Sequence, residues 1–323
     1  MKKRYWLAGG LALAVAAHRV ARPRALDWEA HADKLHHTER SRFIEVDGVR
    51  IHYQAAGDEN APPLVLVHGF LASNFIWRDV LVPLAGAGFH VIAPDLVGFG
   101  FSDKPADGEY TIAAQALMIM RLLDELQIER ATLVGSSYGG AVSTVAALDY
   151  PERVARLVLV GAVINDDLKH HPVLRFVATR GIGDVLSPAL LDLRYFLRRK
   201  LGRLRVANGD RASVELKVAG RHLPLRAADT QRAMLQTLRR WSATRVEREA
   251  QLIKQPTLLV WGAQDSDTPL RHGQQLHQLI PNSRLFVFHN VGHLPQEERP
   301  REFTELVADF CQTVTSDERQ VTS

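Results

Sequence analysis

Residues 131–141 read Ala131-Thr132-Leu133-Val134-Gly135-Ser136-Ser137-Tyr138-Gly139-Gly140-Ala141, an apolar, β-prone run that stops at a Gly-x-Ser-x-Gly pentapeptide. A small-residue stretch of helical character, Gly139 to Asp149, follows. A strand that turns sharply into a helix forces the residue at the turn into strained backbone geometry and exposes its side chain. Ser137 is that residue, because it alone has glycine both two positions before and two after; Ser136 has Val134 and Tyr138 there. The stretch therefore reads as a nucleophile elbow at the end of a central strand. Without chemistry it would be only a Gly/Ser-rich turn, so the rest of the chain must supply a base and an acid.

Working back towards the N-terminus, Leu64 to His68 is a continuous apolar run followed by Gly69-Phe70, the pattern of a buried parallel strand with a turn at its C-terminal end. Arg42 to Val46 and Val49 to Ala55 alternate apolar and polar around Asp47-Gly48, a hairpin signal. An amphipathic helix is expected over Asn74 to Ala85, a strand over His90 to Ala93 and a helix over Thr111 to Gln127. The glycines at Gly98 and Gly100 fit no nucleotide motif, since no Gly-Lys-Ser/Thr follows, and read as a structural turn. Past the elbow, Arg156 to Val163 is another buried strand. Strands alternating with helices imply an α/β fold around a parallel sheet with right-handed crossovers.

The rhythm changes at Asn165. From there to Glu249 the chain is Leu- and Arg-rich, punctuated by Pro172, Pro188 and Pro224, with helix-like pieces at Ala189 to Leu201 and Asp229 to Trp241. Strands return at Thr257 to Trp261 and Arg284 to His289, and Pro300 to Cys311 forms a last amphipathic helix. The domain reading is an N-terminal segment 1–26, a first core part 27–164, a helical insertion 165–250 and a second core part 251–323.

A serine nucleophile needs a base for its proton and a carboxylate to orient the base. Asp265 follows one late strand and His293 the other, and the C-terminal ends of parallel strands converge on one rim. Asp267 is a nearby rival for the acid; Asp166 and Asp167 are more distant ones. The backbone N–H groups of Tyr138 and Phe70 are candidate oxyanion donors. His68 reads as a packed turn residue. No metal or organic cofactor is called for, because the scattered His and Asp residues lack ligand spacing.

The composition is that of a globular chain, long enough at 323 residues for a substantial core. Its one cysteine, Cys311, excludes an intramolecular disulfide. The net charge of +4 conceals a strong asymmetry. Residues 1–26 hold six Lys/Arg and no acid, the insertion 165–250 is basic, and the remainder is acidic. Both basic segments suit an anionic surface. No aromatic-interleaved basic motif points to nucleic acid. Met1-Lys2-Lys3-Arg4 precedes an apolar run from Tyr5 to Ala17, with Arg19, Arg22 and Arg24 beyond. The second basic cluster favours an uncleaved membrane anchor, with a cleaved signal peptide and a soluble N-terminal helix as alternatives. Leu26 to Thr38 would then be a short helical connector. The localisation expected is a bacterial inner membrane with the catalytic domain in the periplasm; the alternative is secretion after signal cleavage.

Taken together, His68-Gly69-Phe70, Asp95 to Ser102, Gly135 to Gly139, Trp261 to Asp265 and Gly292-His293 resemble the α/β-hydrolase family over about residues 42–312. The resemblance implies a mostly parallel eight-stranded sheet, with residues 165–250 as a cap between strands six and seven. Dehalogenases and epoxide hydrolases of that family use an aspartate nucleophile, and serine at 137 speaks against both. An N-terminal membrane segment joined to a basic cap is similar to bacterial membrane-anchored lipases and phospholipases A. The expected activity is that of a serine carboxylester hydrolase with Ser137, His293 and Asp265 as the triad and membrane lipid or another acyl ester as substrate. Arg198, Arg199, Arg203 and Arg205 would meet the interface. The alternatives are a soluble small-substrate esterase or C–C bond hydrolase, and a catalytically silent binding protein of the same fold. A homodimer is left open.

Overall fold

The computed structural model describes residues 26–32, 36–167, 172–181, 184, 224–225 and 227–321. An eight-stranded sheet runs β1 (Ser41–Val46), β2 (Val49–Ala56), β3 (Pro63–Val67), β4 (His90–Pro94), β5 (Ala131–Ser136), β6 (Val154–Val160), β7 (Thr257–Gly262) and β8 (Ser283–Phe288). Its spatial order is β1-β2-β4-β3-β5-β6-β7-β8. Only β2 pairs antiparallel with its neighbours, β1 and β4; all other pairings are parallel. The β1–β2 hairpin turns at Asp47 and Gly48, both at positive φ (48° and 76°), as the short twist-matched hairpin turn requires.

The middle strands are buried on nearly every residue because both their faces are covered. Val65, Val67, Leu133, Leu157, Leu159, Leu259 and Trp261 pack into one core, while the alternating Leu64, Leu66, Val134, Val158, Val160, Leu258 and Val260 pack into another. A period of two along a strand divides these residues between the layers. The first core is covered by α2 (Ile112–Glu125) and α3 (Tyr138–Asp149), the second by α1 (Leu81–Gly86) and α9 (Pro300–Val321). Thr111 starts α2 by accepting the Ala114 N–H on its hydroxyl at 3.1 Å.

The helix expected over Asn74 to Ala85 is divided. A 3-10 turn covers Asn74–Trp77, and α1 begins only at Leu81. Pro83 has no N–H to donate back to residue 79, so it belongs in a first turn and the helix starts just before it. The connector expected over Leu26 to Thr38 is not a continuous helix where it is described. Trp28 instead packs on Phe43, His52 and Phe101, with ring centroids 5.4, 4.8 and 5.1 Å away.

Between β6 and β7 the described residues form three helices, α4 (Pro172–Ala178), α5 (Ala228–Arg239) and α6 (Thr244–Glu249). Arg232, Gln236 and Arg240 stitch α5 and its C-terminal end to the core loop, donating to the carbonyls of Lys104, Ala106 and Gly108 at 2.7, 3.2 and 2.8 Å. The roots of the insertion also meet: Ala243 N–H donates to Asp166 at 2.7 Å and Glu247 N–H to Ile164 O at 3.1 Å. The apolar run Tyr5 to Ala17, the piece Ala189 to Leu201 and the four arginines Arg198, Arg199, Arg203 and Arg205 lie outside the described residues. Among the described residues no helix is long and apolar enough to cross a membrane.

The remaining elements complete the crossovers. α7 (Leu270–Leu279) links β7 to β8, and the one-turn α8 (Pro295–Glu298) lies between β8 and α9. The C-terminal ends of β3, β5, β6, β7 and β8 thus share one rim, which carries the candidate site.

Candidate active site

Ser137 sits between β5 and α3 at φ 56°, ψ −116°, a backbone conformation that costs an ordinary residue roughly 1–3 kcal/mol. Its N–H donates to Val160 O at 2.9 Å and its carbonyl accepts from Gly140 and Val163, both at 3.0 Å, so the surrounding turn holds the strain in place. Neither flanking glycine has room for a side chain. A methyl on Gly139 would strike the carbonyl oxygens of Val67 and His68, and one on Gly135 the carbonyl of Gly139. The pentapeptide's composition is thus a packing requirement of the sharp turn.

Asp265 and His293 lie on the loops after β7 and β8. His293 Nδ1 is 2.8 Å from Asp265 Oδ2. The carboxylate is fully buried, and its other oxygen accepts the N–H groups of Asp267 and Thr268 at 2.9 and 3.0 Å. Thr268 adds its hydroxyl, 2.9 Å from Asp265 Oδ2, 2.8 Å from Gly161 O and 3.2 Å from His293 Nδ1. Sequence reasoning missed Thr268. The signal was available: Asp265 followed at the third position by Thr268, just before Pro269 and a helix, is an Asx-turn arrangement in which an aspartate grips the following N–H groups.

The two candidate oxyanion donors flank the serine. The Gly69-Phe70 turn lies over Ser137: a methyl built on Gly69 would be 3.1 Å from Ser137 Cβ and 3.7 Å from its Oγ. Neither Phe70 N–H nor Tyr138 N–H donates to an acceptor among the described residues. Ser137 Oγ and His293 share no hydrogen bond among the described residues either, and nucleophile–base bonds commonly tighten only when substrate binds. Beside the serine stands an aromatic wall. Phe70 is 5.5 Å from Trp241 and 6.1 Å from Phe99, and Tyr138 is 5.1 Å from Trp241, between ring centroids. Val177, Leu235 and Leu238 of the insertion extend the wall through Phe70.

Two of the rival acids are engaged elsewhere. Asp166 caps Ala243; Asp167 lies 3.5 Å from His272 and 4.0 Å from Arg271. Asp267 reaches the site through its backbone N–H, which binds Asp265. His68 is a turn residue in geometry as well: its Nε2 accepts the Leu96 N–H at 3.0 Å, so Nδ1 carries the proton and donates to Gly69 O at 2.8 Å. Burial holds its pKa below the ordinary histidine value, which keeps the ring neutral.

An open parallel sheet with an insertion after β6, and Ser137, Asp265 and His293 on three loops of one rim, define a hydrolase of α/β type. The chain belongs to the alpha/beta hydrolase fold family, whose model matches residues 62–300. Among its relatives, the hydrolase YugF of Bacillus subtilis is 33% identical over 273 residues, covering 83% of this chain and 97% of its own. The 2-hydroxy-6-oxo-2,4-heptadienoate hydrolase of Pseudomonas putida is 31% identical over 282 residues, 84% of this chain and 96% of its own. Among solved structures, a bacterial membrane phospholipase A superposes with a TM-score of 0.73 at 26% identity, covering 97% of this chain and 99% of its own.

Proposed function

We propose that the protein is a serine carboxylester hydrolase that removes fatty-acyl groups from lipid esters at a membrane surface. Ser137 Oγ attacks the ester carbonyl while His293 Nε2 takes its proton, forming a tetrahedral intermediate whose oxyanion faces the N–H groups of Phe70 and Tyr138. His293 returns the proton to the leaving alcohol as the C–O bond breaks. Water, deprotonated by the same imidazole, then releases the fatty acid from the acyl-enzyme. Asp265 and Thr268 hold the ring in its tautomer and orientation throughout.

The observation that carries the lipid reading is the apolar wall of Phe70, Tyr138, Trp241, Leu235 and Leu238 beside Ser137, which suits an acyl chain. The likeness to the membrane phospholipase A, which extends over 97% of this chain, supports it. Residues 165–250 act in this reading as the cap over the acyl pocket, and the basic, apolar segment 1–26 as the anchor that keeps the site at the bilayer. That last assignment rests on sequence alone.

The Pseudomonas putida relative supports a second reading. A 2-hydroxy-6-oxo-dienoate contains no ester, so its hydrolysis at the ketone must break a carbon–carbon bond. The same serine and base serve that reaction once the dienol has become a ketone, and the product acid replaces the fatty acid.

The test is an assay of the full chain and of Ser137→Ala on diacyl phospholipid vesicles, monoacylglycerol, short p-nitrophenyl esters and a 2-hydroxy-6-oxo-dienoate. Fatty-acid release from vesicles, lost in Ser137→Ala, is the expected outcome. Turnover of the dienoate with no release from lipid would transfer the assignment to the C–C hydrolases. Undiminished hydrolysis by Ser137→Ala would refute the mechanism.

A further inference from the structure

The one-turn helix α8 carries three consecutive polar residues, Gln296, Glu297 and Glu298, with relative exposures of 0, 7 and 8%. Polar side chains are rarely buried to this degree without a structural or chemical task. Each grips a different part of the rim. Gln296 Nε2 donates to the hydroxyl of Ser136, next to the candidate nucleophile, at 3.3 Å. Glu297 Oε1 lies 2.8 Å from Arg78 Nη1, the nitrogen that also donates to Phe75 O at 2.9 Å in the turn after the Phe70 loop. Glu298 accepts the N–H of Gly292, the residue before His293, on both carboxylate oxygens at 3.0 and 3.1 Å.

Glu298 has the most direct line to the chemistry. The turn that carries His293 is pressed from the other side against the loop after β7, where Gln264 N–H donates to Val291 O at 2.9 Å. Gly262 sits so close beneath that a methyl there would strike the carbonyls of Val291 and Gly292. The loop after β7 thus backs the turn on one side, and the Glu298 carboxylate holds it from α8. We propose that Glu298 is a positioning residue whose carboxylate, by holding the Gly292 N–H, sets the approach of His293 to Ser137. The proposal rests on the reading of Ser137, His293 and Asp265 as the reacting triad.

The charges around Glu298 show that hydrogen bonding, not ion pairing, is its task. Its charged neighbours are the acids Glu297 and Asp265, and Arg78 is engaged by Glu297 and Asp79. Burial pushes its carboxyl pKa up, those two acids add to the shift, and the N–H groups of Gly292 and Leu294 oppose it. A neutral acceptor of the same shape should therefore serve in its place.

The experiment compares Glu298→Ala, Glu298→Gln and Glu298→Asp with the full wild-type chain, measuring kcat and KM on p-nitrophenyl acetate, the rate of serine labelling by a fluorophosphonate, and thermal melting. An acceptor misplaced by about an ångström costs up to ~100-fold in rate. Glu298→Ala is expected to lower kcat and the labelling rate by about 10- to 100-fold with KM within about twofold, since the aromatic wall is untouched. Glu298→Gln keeps an oxygen at Gly292 and is expected to recover all but about threefold, whereas the shortened Glu298→Asp should behave like the alanine variant. Wild-type kcat in a folded Glu298→Ala, or a lowered melting temperature with no change in kcat, overturns the proposal. Should Glu298→Ala not fold, wild-type kcat in Glu298→Asp overturns it equally. Ser137→Ala in the same assay separates the two ideas: retained activity there defeats the triad reading, while its loss alongside unaffected Glu298 variants defeats only the positioning role.

Discussion

Thr268 shows how one hydroxyl can serve a carboxylate–imidazole pair. It lies within 3.2 Å of Asp265 Oδ2, Gly161 O and His293 Nδ1, so it ties the ends of β6, β7 and β8 together at the point where His293 must be steady. Replacing it with the isosteric valine removes about 1 kcal/mol of hydrogen bonding, so Thr268→Val is expected to lower kcat roughly fivefold while Thr268→Ser stays near wild type. Steady-state kinetics on any hydrolysed ester checks this; equal rates in both variants would confine Thr268 to packing. Tyr138 presents the opposite case. Its phenol is buried among Phe70, Phe99 and Trp241, its oxygen has no hydrogen-bond partner among the described residues, and burial drives its pKa far above the ordinary phenol value. Tyr138→Phe should therefore gain about 1 kcal/mol in denaturant unfolding, because an orphaned buried hydroxyl disappears. A loss of stability would mean that the hydroxyl has a partner.

At the scale of elements, the elbow shows why a sharp strand-to-helix turn leaves so little freedom in sequence. The start of α3 rests on the ends of β3 and β5, and the contact of Gly139 with the carbonyls of Val67 and His68 leaves no space for a methyl group. Gly139→Ala is expected to destabilise the fold by about 3 kcal/mol, the upper range for overpacking a tight core, and to lose activity with it. Chemical denaturation checks the figure, and a variant of wild-type stability would show that α3 can slide. The insertion follows a different principle. Its helix α5 is held to the loop of Lys104 to Gly108 through backbone carbonyls, which any residue in that loop would provide. Such contacts leave no pattern in the loop's own sequence. The division of the expected Asn74 to Ala85 helix was, by contrast, legible in Pro83, whose missing N–H places it in a first turn.

For the molecule as a whole, buried charge sets the response to pH. Asp95 is fully buried, and burial by itself would raise its pKa. His52 at 2.7 Å and the N–H of Asn74 at 2.7 Å outweigh that effect and hold the carboxyl below the ordinary aspartate value. A carboxyl depressed in the folded state stabilises the protein above its unfolded pKa of about 4 and loses that contribution as pH falls through the folded value. The urea midpoint is therefore expected to fall on acidification below pH ~4, and to fall less steeply in Asp95→Asn, which starts from a lower midpoint at neutral pH. Parallel slopes in the two proteins would show that other carboxylates control acid unfolding.

The sequence by itself determined the sheet and the elbow. Continuous apolar runs ending in Gly-rich turns can be satisfied only by strands buried on both faces, and one serine alone is spaced correctly between glycines. It also marked Asp265 and His293, because each stands just beyond a strand and parallel strands share a rim. Only the tertiary structure shows which carboxylate meets the imidazole, since the loop after β7 turns Asp265 towards His293 while Asp267 meets Asp265 through its backbone N–H. The grips of Thr268 and Glu298 likewise appear only in the fold, because each reaches an atom on a neighbouring turn and local periodicity records nothing of contacts made across a rim.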